Sequence, residues 1–175
     1  MAESNPIEKI RLLVTGGTID KSYCPVEGQL SFSRTNVLAM LKQARVALPE
    51  GQVQTLLLKD SLDLTDADRE VICQAAAIAK EMKLIVTHGT DTMVQTAQRL
   101  AAKQLGKTVV LVGAMVPYTF SNSDGLFNLG LAFGAVQLLP AGVYIAMNGR
   151  IFPWNAVRKN SALGVFESIP TAGTS

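Results

Sequence analysis

The chain has few of the residues that most often carry chemistry on their own. In 175 residues there is one histidine, His88, and there are two cysteines, Cys24 and Cys73. Two such distant cysteines make no disulfide framework, and with a single histidine they make no metal-ligand cluster. They are read as reduced thiols of a cytoplasmic protein with no metal. Charge of one sign is also scarce. The net charge of +2 and the lack of a lysine-arginine cluster exclude a nucleic-acid stripe. No uncharged apolar run approaches about 18 residues, which excludes a membrane-spanning helix. Met1-Ala2-Glu3-Ser4-Asn5-Pro6 lacks the apolar segment of a signal peptide. There is no internal repeat or low-complexity segment. What is present is 48% hydrophobic and 17% charged residues, the balance of a compact core. The length fits one domain, able to bury roughly 70% of its unfolded surface.

Short apolar runs alternate with helical periodicities. Strands are expected at Ile10–Val14, Val53–Leu58, Leu84–Thr87, Thr108–Val112 and Val143–Met147. Helices are expected from Val37 to about Leu48, capped by Ser33 or Thr35, and from Ala67 to Lys83, behind a Thr65-x-x-Asp68 box. Two more should run from Met93 to about Leu105 and, capped by Ser123 or Asp124, through Leu126 to Val136 until Pro140 and Gly142 end it. Gly130 and Gly134 fall on one face of the last helix and suggest close packing there. Asn148-Gly149 signals a type I′ hairpin, returning through Arg150-Ile151-Phe152. The segment from Asp20 to Ser33 has no periodicity and reads as a long loop, a lid carrying Tyr23 or a tolerated excursion. The tail from Ile169 to Ser175 reads as frayed. The fold class is therefore α/β: a mostly parallel open sheet flanked by helices, with right-handed crossovers and a C-terminal β-hairpin.

In such sheets the chemistry lies outside the carboxyl ends of the strands. Four turns fall there: Thr15-Gly16-Gly17-Thr18, Asp60-Ser61-Leu62-Asp63, Thr87-His88-Gly89-Thr90-Asp91-Thr92 and Gly113-Ala114-Met115. The paired glycines imply backbone that must be bare, for tightness or for a ligand. Asp60, Ser61 and Asp63 are either caps or site residues. His88 is either a base or a structural imidazole bonded to backbone. Hydroxyl nucleophiles need a base, and a lysine lowered from its ordinary pKa of roughly 10.4 is the other available one.

Together the motifs identify a resemblance. Thr15-Gly16-Gly17-Thr18-Ile19, Thr87-His88-Gly89-Thr90-Asp91-Thr92, Val112-Gly113-Ala114-Met115-x-Pro117 and Ser123-Asp124-Gly125-x-Phe127-Asn128-Leu129 resemble the bacterial-type L-asparaginase family, which includes glutaminase-asparaginases. The resemblance spans about residues 10 to 166 and implies one domain over 1–175, similar to that family's N-terminal domain. It implies an L-asparagine amidohydrolase with weak glutaminase activity and no cofactor, acting through an acyl-threonine. By motif, Thr18 resembles the attacking threonine, and Tyr23 takes the role of the tyrosine on the mobile loop. Thr90, Asp91 and Lys159 resemble the second threonine, its aspartate and the lysine that holds them. Gly17, Ser61, Leu62, Gly89, Thr90, Asp91 and Ala114 resemble the substrate-binding positions, Ala114 by its backbone carbonyl at the leaving amide.

Two departures stand out. Leu62 replaces a polar residue that helps hold the substrate's amino group. Family members also carry a second, smaller domain whose acidic residue completes a neighbour's site. Ser175 comes before any such domain, so the sequence is a short form or a piece. A short form is expected to be a homo-oligomer, because the missing domain would leave apolar surface uncovered. A non-catalytic aspartate- or asparagine-binding module is the alternative. A Rossmann-type nucleotide site is disfavoured, since the third glycine of G-x-G-x-x-G is missing.

Overall fold

The computed structural model describes residues 6–169; the expected fraying of residues 170–175 lies outside them. The strands and helices follow in the order β1 (Ile10–Gly16), β2 (Ser22–Cys24), β3 (Gln29–Ser31), α1 (Val37–Gln43), β4 (Val53–Lys59), α2 (Asp66–Ile78), β5 (Lys83–Thr87), α3 (Met93–Ala102), β6 (Thr108–Val112), α4 (Gly125–Leu138), β7 (Gly142–Met147), β8 (Arg150–Pro153), β9 (Val157–Asn160) and β10 (Val165–Ser168). Six strands form one sheet in the order β4-β1-β5-β6-β7-β8. All neighbours are parallel except β7 and β8.

The central strands are apolar on both faces because both are covered. Leu13, Leu84, Val86, Val109 and Leu111 face one side, with Ile72, Ala76, Met93 and Ala97 of α2 and α3. Leu12, Val14, Ile85, Val110 and Val112 face the other, with Met40 and Leu41 of α1 and Leu129 and Phe133 of α4. Alternation of period two along each strand feeds both cores.

This arrangement corrects the expectation of uniform handedness. The chain passes left through α1 on one face, then right through α2 and α3 on the other, so those three crossovers share a hand. It passes right again through α4, but on the face of α1, so β6–α4–β7 has the opposite hand. The long connection between Val112 and Gly125 makes this feasible. It carries the chain over the sheet's carboxyl edge and is tied down by Asp124, which accepts hydrogen bonds from the Met115 and Val116 amides at 2.9 and 3.0 Å.

Other boundaries differ locally. The Asp20–Ser33 segment contains a two-stranded ribbon, β2 with β3, rather than loop alone. Helix α1 ends at Gln43, five residues early, where Arg45 turns at φ 55. Its N-cap is Asn36, and Thr35 accepts from the Val37 amide at 3.1 Å. Helix α2 stops at Ile78, and its Thr65–Asp68 capping box is complete. Gly130 and Gly134 are exposed, and an added Cβ at either would meet nothing within 4 Å. The close packing expected there is not made among the described residues. The Asn148-Gly149 turn forms as expected, with φ 54 and 72, and pairs Met147 with Arg150. A second hairpin, β9 with β10, follows as a separate ribbon.

Candidate active site

Strand order reverses between β1 and β5, because the chain leaves β1 toward β4 and leaves β5 toward β6. That switch point opens a crevice at the carboxyl edge. The turns after β1, β4, β5 and β6 meet there at backbone contact. A Cβ on Gly17 would lie 2.3 Å from the Gly89 nitrogen, and one on Gly89 would lie 2.6 Å from the Ser61 Cβ. Gly17 also has φ 81, which excludes a side chain on conformational grounds as well. The glycines of the first and third turns thus serve close approach.

Side-chain bonds fix the turns to one another. Thr15 Oγ1 donates to the Thr87 carbonyl at 2.7 Å, and the Gly17 amide donates to the Lys59 carbonyl at 2.9 Å. Thr92 Oγ1 donates to the Ser61 carbonyl at 2.7 Å. Lys21 pairs with Asp60, and the Asp60 carboxylate caps the Ser61–Asp63 turn through the Leu62 amide. Burial pulls the Asp60 carboxyl up, but Lys21 and the backbone amides outweigh it and hold the group below its ordinary value.

Within this frame Lys159 of β9 reaches Thr90. Its Nζ lies 2.8 Å from Thr90 Oγ1 and 2.7 Å from Asp91 Oδ1. The lysine side chain is only 15% exposed. Thr18 opens the 3₁₀ turn after Gly17 and is half-buried. Ser61 is buried, and its hydroxyl has no hydrogen-bond partner among the described residues. Such an orphaned hydroxyl beside a glycine turn is suited to receive a ligand group, because leaving it unpaired is costly. Ala114 is buried, next to Gly125 of α4. The expected residues Thr18, Ser61, Gly89, Thr90, Asp91, Ala114 and Lys159 therefore gather around the four turns.

Two expected residues stand apart. Tyr23 lies on β2, 59% exposed, and its hydroxyl makes no hydrogen bond among the described residues. Leu62 is 72% exposed at the rim.

His88 takes the structural alternative. It is fully buried, with Nδ1 2.8 Å from the Gly89 carbonyl and Nε2 2.8 Å from Thr96 Oγ1. A carbonyl can only accept, so Nδ1 carries the proton and Nε2 accepts from the threonine. Burial pushes the imidazole down to about 4, against a smaller opposing effect of the Gly89 bond. It is neutral at physiological pH and orients the peptide before Thr90.

Sequence reasoning overlooked Asp20. It closes the Thr18–Asp20 turn, is buried, and accepts from the Asn36 amide at 2.7 Å and Thr35 Oγ1 at 2.9 Å. Burial raises its carboxyl to about 6, with those two bonds opposing. Its only sequence signal was a charged residue beside a buried glycine turn.

The fold and the site define a class: a doubly wound α/β domain with a threonine–lysine–aspartate cluster at its topological switch point. The chain matches the family described as Asparaginase, N-terminal, over residues 9–172, and it belongs to that family. It is 30% identical over 168 residues to L-asparaginase 1 of Escherichia coli (strain K12), covering 90% of this chain and 49% of that protein. Its structure is similar to that of the thermostable L-asparaginase from Thermococcus kodakarensis. The TM-score is 0.79 at 28% identity, covering 93% of this chain and 52% of that one. The probable cytoplasmic L-asparaginase from Campylobacter jejuni gives 0.76 at 30%, covering 91% and 52%. The chain spans about half the length of these relatives.

Proposed function

We propose that the protein hydrolyses L-asparagine to L-aspartate and ammonia through a threonine nucleophile. The observation that carries this reading is the hydrogen-bonded Thr90–Lys159–Asp91 cluster, set one turn away from Thr18 and beside the orphaned Ser61 hydroxyl.

The substrate brings an α-carboxylate, an α-ammonium and a neutral amide. Ser61 Oγ and the Gly89 backbone suit the carboxylate, and Asp91 suits the ammonium. Gly17 leaves the nucleophile's turn bare, and Leu62 bounds the pocket at its rim. Thr18 Oγ attacks the side-chain carbonyl carbon, and its proton passes to the leaving nitrogen through the hydroxyl of Tyr23. The C–N bond breaks, ammonia leaves past the Ala114 carbonyl, and an acyl-threonine ester remains. Lys159, when neutral, accepts a proton from Thr90. Thr90 in turn takes a proton from the attacking water, Asp91 stabilises the ammonium formed, and as the acyl C–O bond to Thr18 breaks and aspartate is freed that proton returns to Thr18 Oγ. Backbone amides at the Thr90 turn receive the developing oxyanion. No cofactor enters these steps.

Asparaginase names among its relatives support the substrate choice. The reading includes a single domain over 1–175, weak glutaminase activity, a cytoplasmic location and self-association. No helix among the described residues is long and apolar enough to cross a membrane.

A second reading is favoured by one observation, the exposed and unbonded Tyr23 hydroxyl. If β2 and β3 never bring it to Thr18, the protein binds aspartate or asparagine without turnover. An ammonia-release assay on wild type and Thr18→Ala decides. Wild-type turnover abolished by the substitution supports hydrolysis by Thr18. Calorimetric binding with no ammonia from wild type supports the binding module.

A further inference from the structure

The lysine of the site is not carried by the main sheet. β9 and β10 form their own ribbon and, among the described residues, make no ladder bonds to the six-stranded sheet. Lys159 faces Phe166 across that ribbon. Phe166 and Val157 are buried in the core on one face of the main sheet, but apolar plugs are non-directional and do not fix a register. Directional bonds to the body come from elsewhere. The Phe166 amide donates to Asn148 Oδ1 at 2.8 Å. The Asn148 amide donates to Asn128 Oδ1 at 3.2 Å. The Asn128 side-chain amide donates to the Gly113 carbonyl at 3.1 Å and to Asp124 at 2.8 Å. Arg150 adds an exposed bond to Ser168 at the ribbon's far end.

A continuous series of bonds thus runs from the turn that holds Ala114, through two asparagines, to the strand that holds Lys159 in register. Asn128 is 1% exposed, and both donor and acceptor of its amide are used. Asn148 is suited to its left-handed turn at φ 54, but glycine would serve the turn as well.

We infer that Asn148, held by Asn128, is a positioning residue that sets the Lys159 ribbon against the Thr90 turn and couples it to the Ala114 turn. The consequence for turnover rests on the amidohydrolase reading; the placement of Lys159 does not.

Asn148→Gly and Asn148→Asp separate this role from the turn itself. Glycine keeps the left-handed conformation and removes the acceptor. Aspartate keeps both. The first readout is the proton–nitrogen resonance of the Lys159 ammonium, assigned by its disappearance in Lys159→Met, and it needs no activity. The bonded ammonium is expected in wild type and Asn148→Asp and lost to exchange in Asn148→Gly. The second is ammonia release: kcat should fall about tenfold or more in Asn148→Gly, with KM within about twofold. Thermal midpoints report whether all three proteins are folded. An Asn148→Gly protein that keeps the Lys159 resonance overturns the inference, and so does an Asn148→Asp protein that loses it. Intact resonances with no ammonia from wild type would instead refute the hydrolase reading and leave the positioning role standing.

Discussion

Lys159 Nζ stands 2.8 Å from Thr90 Oγ1, 69 residues away in sequence, and also bonds the adjacent carboxylate of Asp91. If the lysine serves as a proton acceptor, its charge alone is not enough. Lys159→Met should lower kcat by about 10²–10⁴-fold, the usual worth of a positioned acid or base. Lys159→Arg should fail nearly as badly, because a guanidinium keeps the ion pair but cannot be deprotonated. Steady-state ammonia release measures both. An arginine variant retaining more than about a tenth of wild-type turnover would show that only the positive charge matters.

His88 and Asp20 make opposite contributions to acid stability. The imidazole is pushed down from 6.5 to about 4, so between those values the unfolded chain binds a proton that the folded chain does not. Its contribution is full above pH 6.5 and declines as pH falls to about 4. Asp20 is raised from 3.8 to about 6, so there the folded chain holds the extra proton. Its contribution grows as pH falls from about 6 to 3.8. Asp20→Asn removes that compensation. The variant should lose up to about 3 kcal/mol more stability than wild type between pH 6.5 and 4. Urea midpoints across that range test it, and parallel curves for the two proteins would refute it.

Glycines at the crevice and on α4 should respond in opposite directions. Gly89→Ala would press a methyl against Ser61 and should cost about 1–3 kcal/mol. Gly130→Ala and Gly134→Ala lie in open space on an exposed helix face. Each should stabilise by about 0.5–1 kcal/mol. Calorimetric midpoints distinguish the two classes. A destabilised Gly130→Ala protein would mean that a partner covers that face.

Leu62 is exposed at the rim, so replacing it should not disturb the fold. Leu62→Gln offers the substrate's amino group a hydrogen-bond acceptor. One added bond of about 1 kcal/mol should lower KM for asparagine roughly fivefold, with kcat nearly unchanged. An unaltered KM would place Leu62 outside the pocket.

Much of the scaffold was legible because the central strands β1, β5 and β6 are short, apolar and closed by glycine turns, and β4 ends in a polar Asp60–Asp63 turn. The Thr65–Asp68 box and the Asn148-Gly149 turn were legible for the same reason: their chemistry is local. What failed was not local. The hand of the β6–α4–β7 crossover depends on which face α4 covers, and a helix as apolar as this one does not reveal that. Gly130 and Gly134 looked like a packing face, because spacing marks a stripe but not what lies opposite. The β2–β3 ribbon was missed because its strands are only three residues long and none of those residues is buried in a core that would impose an apolar pattern.

The sequence by itself determined the alternation of strands and helices, the four polar turns at strand ends and the motifs that mark the asparaginase family. Those features are set by side-chain period, backbone freedom and residue type, all of which are readable within a few positions. Only the tertiary structure decided that His88 is neutral and bonded on both ring nitrogens, that Asp20 is a buried carboxyl, and that the exposed Tyr23 has no hydrogen-bond partner among the described residues. It also decided that two asparagines tie the ribbon of Lys159 to the sheet. These depend on burial and on contacts between residues far apart in the chain, and burial sets both the charge of a group and the cost of leaving it unpaired.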